Sequence, residues 1–334
     1  MENSKINIAL IFGGTSPEKE VSKNTAKSIL KALRELGYSV KPINPAYGTN
    51  QPENEDLFFV QEEYVEPSNR NYIEAINSSM FDNIDLAYLA LHGRWGEDGT
   101  IQSLLELRGI KYTGSGILAS SLAMNKAMTK VVIQDAGVST PKWITAEKRV
   151  NDFEKICRQI KDDFGYPCVI KPNDQGSTVG LTICKEESQV ADAIKLSLKF
   201  SDTALIEEYI PGRELTISIL EGKALPVLEI KPKSGFYDYE NKYTAGRSEY
   251  ICPAELPEDI SMPMQEQALT AFNAVGCSTY SRIDFRLTDE GKFYCLEINT
   301  LPGMTSLSLV PKAAKAAGIS FEELVEKIVK NALQ

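Results

Sequence analysis

Asp284, Glu297 and Asn299 are the residues whose types and spacing most directly imply chemistry in this sequence. They belong to two segments, Arg282-Ile283-Asp284-Phe285 and Leu296-Glu297-Ile298-Asn299-Thr300, which alternate apolar with polar residues, and Thr288 to Lys292 between them is turn chemistry. The pattern predicts an antiparallel hairpin. With Glu290-Gly291 as a two-residue loop, Asp284 lies directly opposite Glu297, and Asn299 shares the face of Glu297. Opposed carboxylates repel unless a cation or solvent offsets them. The cation that suits them is magnesium, which prefers oxygen and is usually held by one or two carboxylates plus phosphate oxygens. The plainer alternative is a solvated strand face. Favouring the metal, Asn299-Thr300-Leu301-Pro302-Gly303-Met304-Thr305 leaves the strand through Pro and Gly, making a tight loop whose N–H groups can hold an oxyanion or a carboxylate.

Elements earlier in the chain bring further polar groups to strand ends. Ile6 to Phe12 is a near-continuous apolar run followed by Gly13-Gly14-Thr15-Ser16 and a helical pattern ending near Gly37, the opening of an open α/β domain. Thr15-Ser16-Pro17-Glu18 reads equally well as a capping box and as a loop presenting Glu18 to a ligand. A second strand spans Tyr38 to Ile43, and residues 46–71 read as an irregular surface region. The strand Ile84 to Leu91 runs into His92-Gly93-Arg94-Trp95-Gly96-Glu97-Asp98-Gly99. Both glycine-rich loops emerge at carboxyl strand ends, where open sheets bind ligands. His92 is either packed or part of that site.

Tyr112 to Gly116 reads as a hinge, and one helix is predicted over 117–136, carrying Lys126 and Lys130. Pro167 to Pro172 is a strand ending in Lys171, followed by Asn173-Asp174-Gln175-Gly176-Ser177-Thr178-Val179-Gly180. A lysine beside a loop of small residues is a plausible phosphate cradle. Strands follow at 204–210 and 214–220. Residues 236–253 form a long tyrosine-rich excursion of the kind that often serves as an active-site lid. A helix over 261–275 precedes the hairpin, and amphipathic helix over 311–333 closes the chain.

Composition narrows the function. The chain has 334 residues, a formal charge of −10, six scattered cysteines and one histidine. The acidic balance argues against nucleic acid or an anionic membrane as partner. The cysteines read as reduced thiols in a cytoplasmic protein, and one histidine nearly excludes zinc sites and histidine-based triads. No signal peptide or membrane-length apolar stretch is evident. Neither G-x-G-x-x-G nor a P-loop occurs.

Taken together, Gly13-Gly14-Thr15-Ser16-x-Glu18-x-Glu20-Val21-Ser22, His92-Gly93-x-x-Gly96-Glu97-Asp98-Gly99, Lys171-Pro172 with Gly176-Ser177-x-Val179-Gly180, Tyr237-Asp238-Tyr239-x-x-Lys242-Tyr243 and Glu297-x-Asn299-Thr300-x-Pro302-Gly303-Met304-Thr305 closely resemble the D-alanine-D-alanine ligases of the ATP-grasp superfamily. The resemblance runs in order from about residue 6 to 330. It implies a three-domain ATP-grasp ligase, α/β overall and α+β in the ATP-grasp part, with an N-terminal open α/β substrate domain (1–114), a central domain (115–206) and a C-terminal domain with the metal site (207–334).

The resemblance also implies roles. Lys126 and Lys171 would contact ATP phosphates, and Glu207, Tyr209, Ile210 and Glu214 would hold adenine and ribose. Asp284, Glu297 and Asn299 would bind two magnesium ions, for which manganese can substitute. Glu18 would hold the first D-alanine's ammonium in a network with Ser177 and Tyr243, with His92 near its carboxylate. Arg282 and the Gly303 N–H would stabilise an oxyanion. Ser308 and Lys242 would receive the second substrate's carboxylate, with Leu309 beside them. The product would be D-alanyl-D-alanine for peptidoglycan synthesis, formed through D-alanyl phosphate by a cytoplasmic homodimer. Relatives that accept D-serine or D-lactate are the nearest rivals, and a catalytically silent scaffold of the same fold is a more distant one. Asn125, where many relatives carry Asp, and Trp95, where many carry a smaller residue, are the visible departures.

Overall fold

The computed structural model describes residues 3–149, 152–176, 178–232 and 248–334. Three sheets organise them. The first is parallel, ordered β2-β1-β3-β4, from β1 (Asn7–Ile11), β2 (Ser39–Ile43), β3 (Leu86–Leu89) and β4 (Lys111–Tyr112). It is accompanied by α1 (Lys19–Glu35), α2 (Asn71–Asn77) and α3 (Thr100–Arg108). The central strands are unbroken apolar runs because both faces of a parallel sheet are covered. In this order the chain leaves β1 one way to β2 and returns on the other side at β3, so the crevice opens where the loops after β1 and β3 meet. Ser16 Oγ donates to the His92 carbonyl there at 2.6 Å.

The region 46–71 is less superficial than its polarity implies. Two short 3₁₀ turns, Pro45–Tyr47 and Glu55–Phe59, carry Tyr47 and Phe58 into the first core, where Phe58 packs against Phe12 with ring centroids 5.4 Å apart. Aromatic burial outweighs the Pro, Asn and Glu around it.

The second sheet is antiparallel, ordered β5-β8-β6-β7. Its region contains α4 (Ile117–Met124), α5 (Lys126–Asp135), β5 (Trp143–Glu147), α6 (Phe153–Asp163), β6 (Cys168–Pro172), β7 (Thr182–Cys184), α7 (Val190–Ser197) and β8 (Thr203–Glu208). The single helix predicted over 117–136 is two. Asn125 leaves the helical conformation, and its side chain accepts from the Met128 N–H, ending one helix and capping the next. Lys126 thereby becomes the first residue of α5.

The third sheet, β12-β11-β9-β13-β14, is antiparallel, with β10 paired to β9. Its elements are β9 (Arg213–Leu220), β10 (Lys223–Ala224), β11 (Leu228–Pro232), β12 (Ser248–Ile251), α8 (Glu258–Val275), β13 (Tyr280–Leu287) and β14 (Phe293–Asn299), followed by α9 (Leu309–Ala316) and α10 (Phe321–Leu333). The helix read from 261 starts three residues earlier, and the closing helix is two, separated at Gly318 with φ +79° and restarted by a Ser320–Glu323 capping box. α10 buries Leu324, Val325, Ile328 and Val329 in the core of the first sheet.

The β13–β14 hairpin reaches its expected register by another route. Asp284 does pair with Glu297, but Leu287 pairs with Phe293, and Thr288 N–H bonds to Lys292 O. The loop is therefore the three residues Asp289-Glu290-Gly291, not two. A bulge, in which Phe285 faces Cys295 and Leu296 is the extra residue, restores the one-residue offset. Among the described residues no helix is long and apolar enough to cross a membrane.

Candidate active site

Two cavities meet between the sheets. The first, of about 800 Å³, is bounded by Lys126 on α5, Lys171 on β6, the loop 175–181, Glu207 to Ile210 at the end of β8, Glu214 on β9, Arg286 on β13 and Glu297 on β14. The second, of about 1820 Å³, lies between α1, the His92 loop and the segment 301–309, and it includes Glu18, Arg282, Asn299, Gly303, Ser308 and Leu309. Gly176 and Glu297 line both, so the two cavities adjoin there. Of the sequence-derived residues that are described, only Asp284 lines neither. Ser177, Lys242 and Tyr243 lie outside the described residues.

At the floor of the first cavity Glu207, 3% exposed, sits between two lysines. Lys171 Nζ is 2.5 Å from Oε1, and Lys130 Nζ is 3.0 Å from Oε2. Burial alone would raise the Glu207 pKa, but the two cations outweigh it and hold the carboxyl below its ordinary range. For Lys171 burial opposes the charge, yet Glu207 and then Glu297 raise it above the usual lysine value. For Lys130 burial wins and lowers it. Lys126 donates to Gln175 O at 2.8 Å and reaches Glu297 Oε2 at 3.4 Å, tying the start of α5 to both the loop and the hairpin. Asn173 reinforces this junction: its Oδ1 accepts from Ala127 N–H, and its Nδ2 donates to Asn125 Oδ1. Asn125 is used there only as an acceptor, a part an Asp plays equally well.

Arg286, not singled out in the sequence, donates to Ile210 O at 3.2 Å and reaches Glu214 at 3.3 Å, fixing the backbone after β8 against β9. It follows Arg282 and Asp284 at period two on one strand face, and that spacing was the available signal. Lys130 was equally visible, one turn beyond Lys126 on α5.

The Asp284–Glu297 pair is not left bare. Arg282 grips Asp284 through two bonds of 2.9 and 2.8 Å, Thr216 Oγ1 donates to Asp284 Oδ1 at 2.6 Å, and Asn299 Nδ2 donates to Oδ2 at 3.1 Å. Lys126 stands by Glu297. Protein cations therefore already offset much of the repulsion that the sequence pattern assigned to a metal. The donor set still fits magnesium: Glu297 and Asn299 line the cleft, the partly exposed Asp284 stands behind them, hydrogen-bonded to Asn299, and no imidazole or thiolate is among them. No cluster of three or more His, Cys, Asp or Glu suited to a metal occurs among the described residues, so phosphate oxygens and water would complete its shell.

In the second cavity the capping-box reading of Glu18 fails. Ser16 Oγ, not the Thr15 hydroxyl, accepts the Glu18 N–H, and the Glu18 side chain makes no cap bond at α1. It turns toward the His92 loop instead. A Cβ on Gly93, whose φ is +70°, would come within 2.7 Å of Glu18 Oε2, so only glycine allows that approach. His92 is buried, with Nε2 3.1 Å from Thr25 Oγ1 and Nδ1 3.3 Å from Glu97. Ser308 Oγ accepts the Thr305 N–H at 2.9 Å and closes the loop that presents Gly303. Trp95 holds φ +74°, a left-handed conformation that a glycine would take without strain.

Residues 7–115 match the family described as D-ala D-ala ligase N-terminus, and residues 132–330 match D-ala D-ala ligase C-terminus. Curated relatives named D-alanine–D-alanine ligase include one from Syntrophotalea carbinolica, 42% identical over 97% of this chain and 95% of its own length. Another, from Geobacter sulfurreducens, is 42% identical over 97% and 93%. Among solved structures, a D-alanine–D-alanine ligase from Bacillus anthracis complexed with ATP superposes with a TM-score of 0.80 at 32% identity, covering 98% of this chain and 97% of that one. A VanG D-Ala:D-Ser ligase from Enterococcus faecalis gives 0.81 at 30% identity, covering 98% and 99%.

Proposed function

The chain belongs to the D-alanine–D-alanine ligase family, and from that membership we infer how its adjoining cavities carry out the family's reaction. It is an ADP-forming ligase that couples two D-alanine molecules through a D-alanyl phosphate, for peptidoglycan precursor synthesis, using ATP and magnesium. The carrying observation is that the two cavities adjoin at Gly176 and Glu297, which sets a nucleotide's terminal phosphate in one beside a carboxylate held in the other.

In this reading Glu207, Tyr209, Ile210 and Glu214 receive the nucleoside, and Lys126 and Lys171 face its phosphates. Magnesium, when bound by Asp284, Glu297 and Asn299, neutralises phosphate charge and aligns the transferred group. Glu18 binds the first ammonium, in a network with Ser177 and Tyr243, and His92 stands near that carboxylate. Arg282, its direction fixed by Asp284, and the Gly303 N–H lower the energy of the oxyanion formed when the second amine attacks, an effect of several kcal/mol in comparable sites. Ser308 and Lys242 hold the acceptor carboxylate, with Leu309 packing beside it. Water must be kept from the acylphosphate, the task that this reading gives to lids at Ser177 and at Tyr237 to Tyr243.

The working divisions are 1–114, 115–206 and 207–334, and they correspond in the main to the three sheets, although β8 spans residue 206 and α10 packs into the first core. The enzyme works in the cytoplasm as a homodimer. Leu107 and Leu118, exposed on the adjacent helices α3 and α4, offer apolar surface for a second copy.

Phosphate release with ATP, magnesium and a panel of D- and L-amino acids, with product identification, tests the reading. Release that depends on D-alanine and yields D-alanyl-D-alanine is expected. A dominant mixed product with D-serine or D-lactate would move the chain to a sister specificity.

A further inference from the structure

Lys312 is the fourth residue of α9, close to the end of the helix whose dipole disfavours a cation. It is half-buried, that burial lowers its pKa, and no carboxylate among the described residues raises it again. A lysine set against both the dipole and burial needs other partners, and Lys312 has two. Its Nζ donates to the Ser306 carbonyl at 3.0 Å and lies 4.8 Å from the centre of the Tyr250 ring.

Ser306 belongs to the turn 305–308, which lines the second cavity. Within the turn Ser308 N–H bonds to Thr305 O at 3.0 Å, Thr305 N–H to Ser308 Oγ at 2.9 Å and Leu307 N–H to Thr305 Oγ1 at 3.3 Å. These bonds fix the shape of the turn but not its direction. Direction comes from the bond between Lys312 and the carbonyl at the apex. On the other side of the cation, Tyr250 lies on β12, the strand that follows residues 233–247 in the chain. Tyr250 and Cys252 pack with Leu228, Ile230 and Leu309. Lys312 therefore joins the turn that carries Ser308 to a strand of the third sheet.

We propose that Lys312 is a positioning residue for the acceptor: by holding the Ser306 carbonyl and the Tyr250 ring at once, it fixes the turn that carries Ser308 to β12 and so sets the affinity for the second D-alanine's carboxylate. The proposal rests on the reading of Ser308 as a residue that receives that carboxylate. Without Lys312 the turn keeps its internal bonds but can swing away from β12, and the carboxylate loses a donor aimed in advance.

The test is phosphate release by the native enzyme, Lys312→Met, Lys312→Arg, Tyr250→Leu and Ser308→Ala, with ATP or D-alanine varied and separate constants fitted to the first and second D-alanine. In Lys312→Met the constant for the second D-alanine should rise about fivefold, less than the loss of a direct charge-assisted bond because Lys312 acts through Ser306. The constants for the first D-alanine and for ATP should stay within about twofold of native. Lys312→Arg keeps a charged donor that also stacks on an aromatic ring, so it should bring the second constant back to within about twofold. Tyr250→Leu keeps the ammonium and loses the ring that holds it, so it should raise the second constant by less than Lys312→Met does; it also decides the matter if Lys312→Met does not fold. An unchanged second constant in the folded Met and Leu variants, a loss shared equally by all three substrates, or an arginine variant no better than methionine overturns the proposal. If the second constant rises in Ser308→Ala and not in Lys312→Met, the positioning role falls and the reading of Ser308 stands. If it does not rise in Ser308→Ala, that reading falls as well.

Discussion

Asp284 and Glu297 face each other across the β13–β14 ladder, each with its own cation, Arg282 on the one and Lys126 on the other. Neither carboxylate therefore needs the metal in order to fold. Glu297→Gln should abolish ligation while shifting the thermal midpoint by only a few degrees, the effect of about 1 kcal/mol or less in a chain of this size. Near-native turnover at ordinary magnesium, or collapse of the fold, would contradict this assignment.

Lys171 and Lys126 should act on the nucleotide side. Replacing either with Met is expected to raise KM for ATP or lower kcat by at least about tenfold, since each provides charge-assisted contacts. The D-alanine dependence should change little. The Lys126 variant also loses its bond to Gln175 O, so limited proteolysis should cut the 173–180 loop faster in that variant alone. A selective change in D-alanine affinity is the outcome that would count against both.

Glu207→Gln leaves two buried ammonium groups without their shared counter-charge, a loss of about 3 to 5 kcal/mol. Glu207 is held below its ordinary value of 4.5, so its contribution is complete above that pH and disappears as pH falls through the lower folded value. Lys171 is held above 10.5, so its contribution is complete below that pH and lost as pH rises through the higher folded value. The difference in denaturant midpoint between native and variant should narrow below about pH 4, where Glu207 gains its proton, and, because burial lowers Lys130, should also narrow on the alkaline side as that ammonium loses its charge. A difference that widens on acidification would refute the ion triad.

Tyr243 lies outside the described residues, and its prediction rests on the family resemblance. On the proposed network, in which a hydroxyl there would be joined through Ser177 to Glu18, the site suits an amine acceptor, and Tyr243→Phe would leave a polar partner unsatisfied at a cost of roughly 1 to 3 kcal/mol. That is enough to change product ratios by one or two orders of magnitude. The variant should gain D-alanyl-D-lactate synthesis, most at lower pH, where the competing amine is protonated. Product analysis over a pH series decides it, and an unchanged ratio rejects this account of specificity.

Much of the site was legible because strands alternate. Period two put Asp284, Glu297 and Asn299 on one patch before any coordinates, and the same period would have found Arg286. The hairpin register was reached by two compensating departures, a longer turn and a bulge at Leu296, and neither leaves a signature as plain as apolar alternation. The break at Asn125 was hidden because Asn is tolerated within a helix, and the cap it makes here, Oδ1 accepting the Met128 N–H, shares that oxygen with Asn173, distant in sequence. Lys130 looked like any helix lysine: its meaning comes from Glu207, distant in sequence and brought near by an antiparallel sheet. Tertiary contacts of this kind carry no local period.

α10 fills the core beneath β1 and β3, although it is the last helix of the chain and they are among the first strands. On the ribosome, then, the opening sheet emerges early, and the part of its apolar flank that Leu324, Val325, Ile328 and Val329 cover stays open until those residues are released. The part of the enzyme made first is finished last. Chains stalled or cut before α10 would present the same greasy surface to chaperones and to one another, even with every catalytic residue of the hairpin already synthesised.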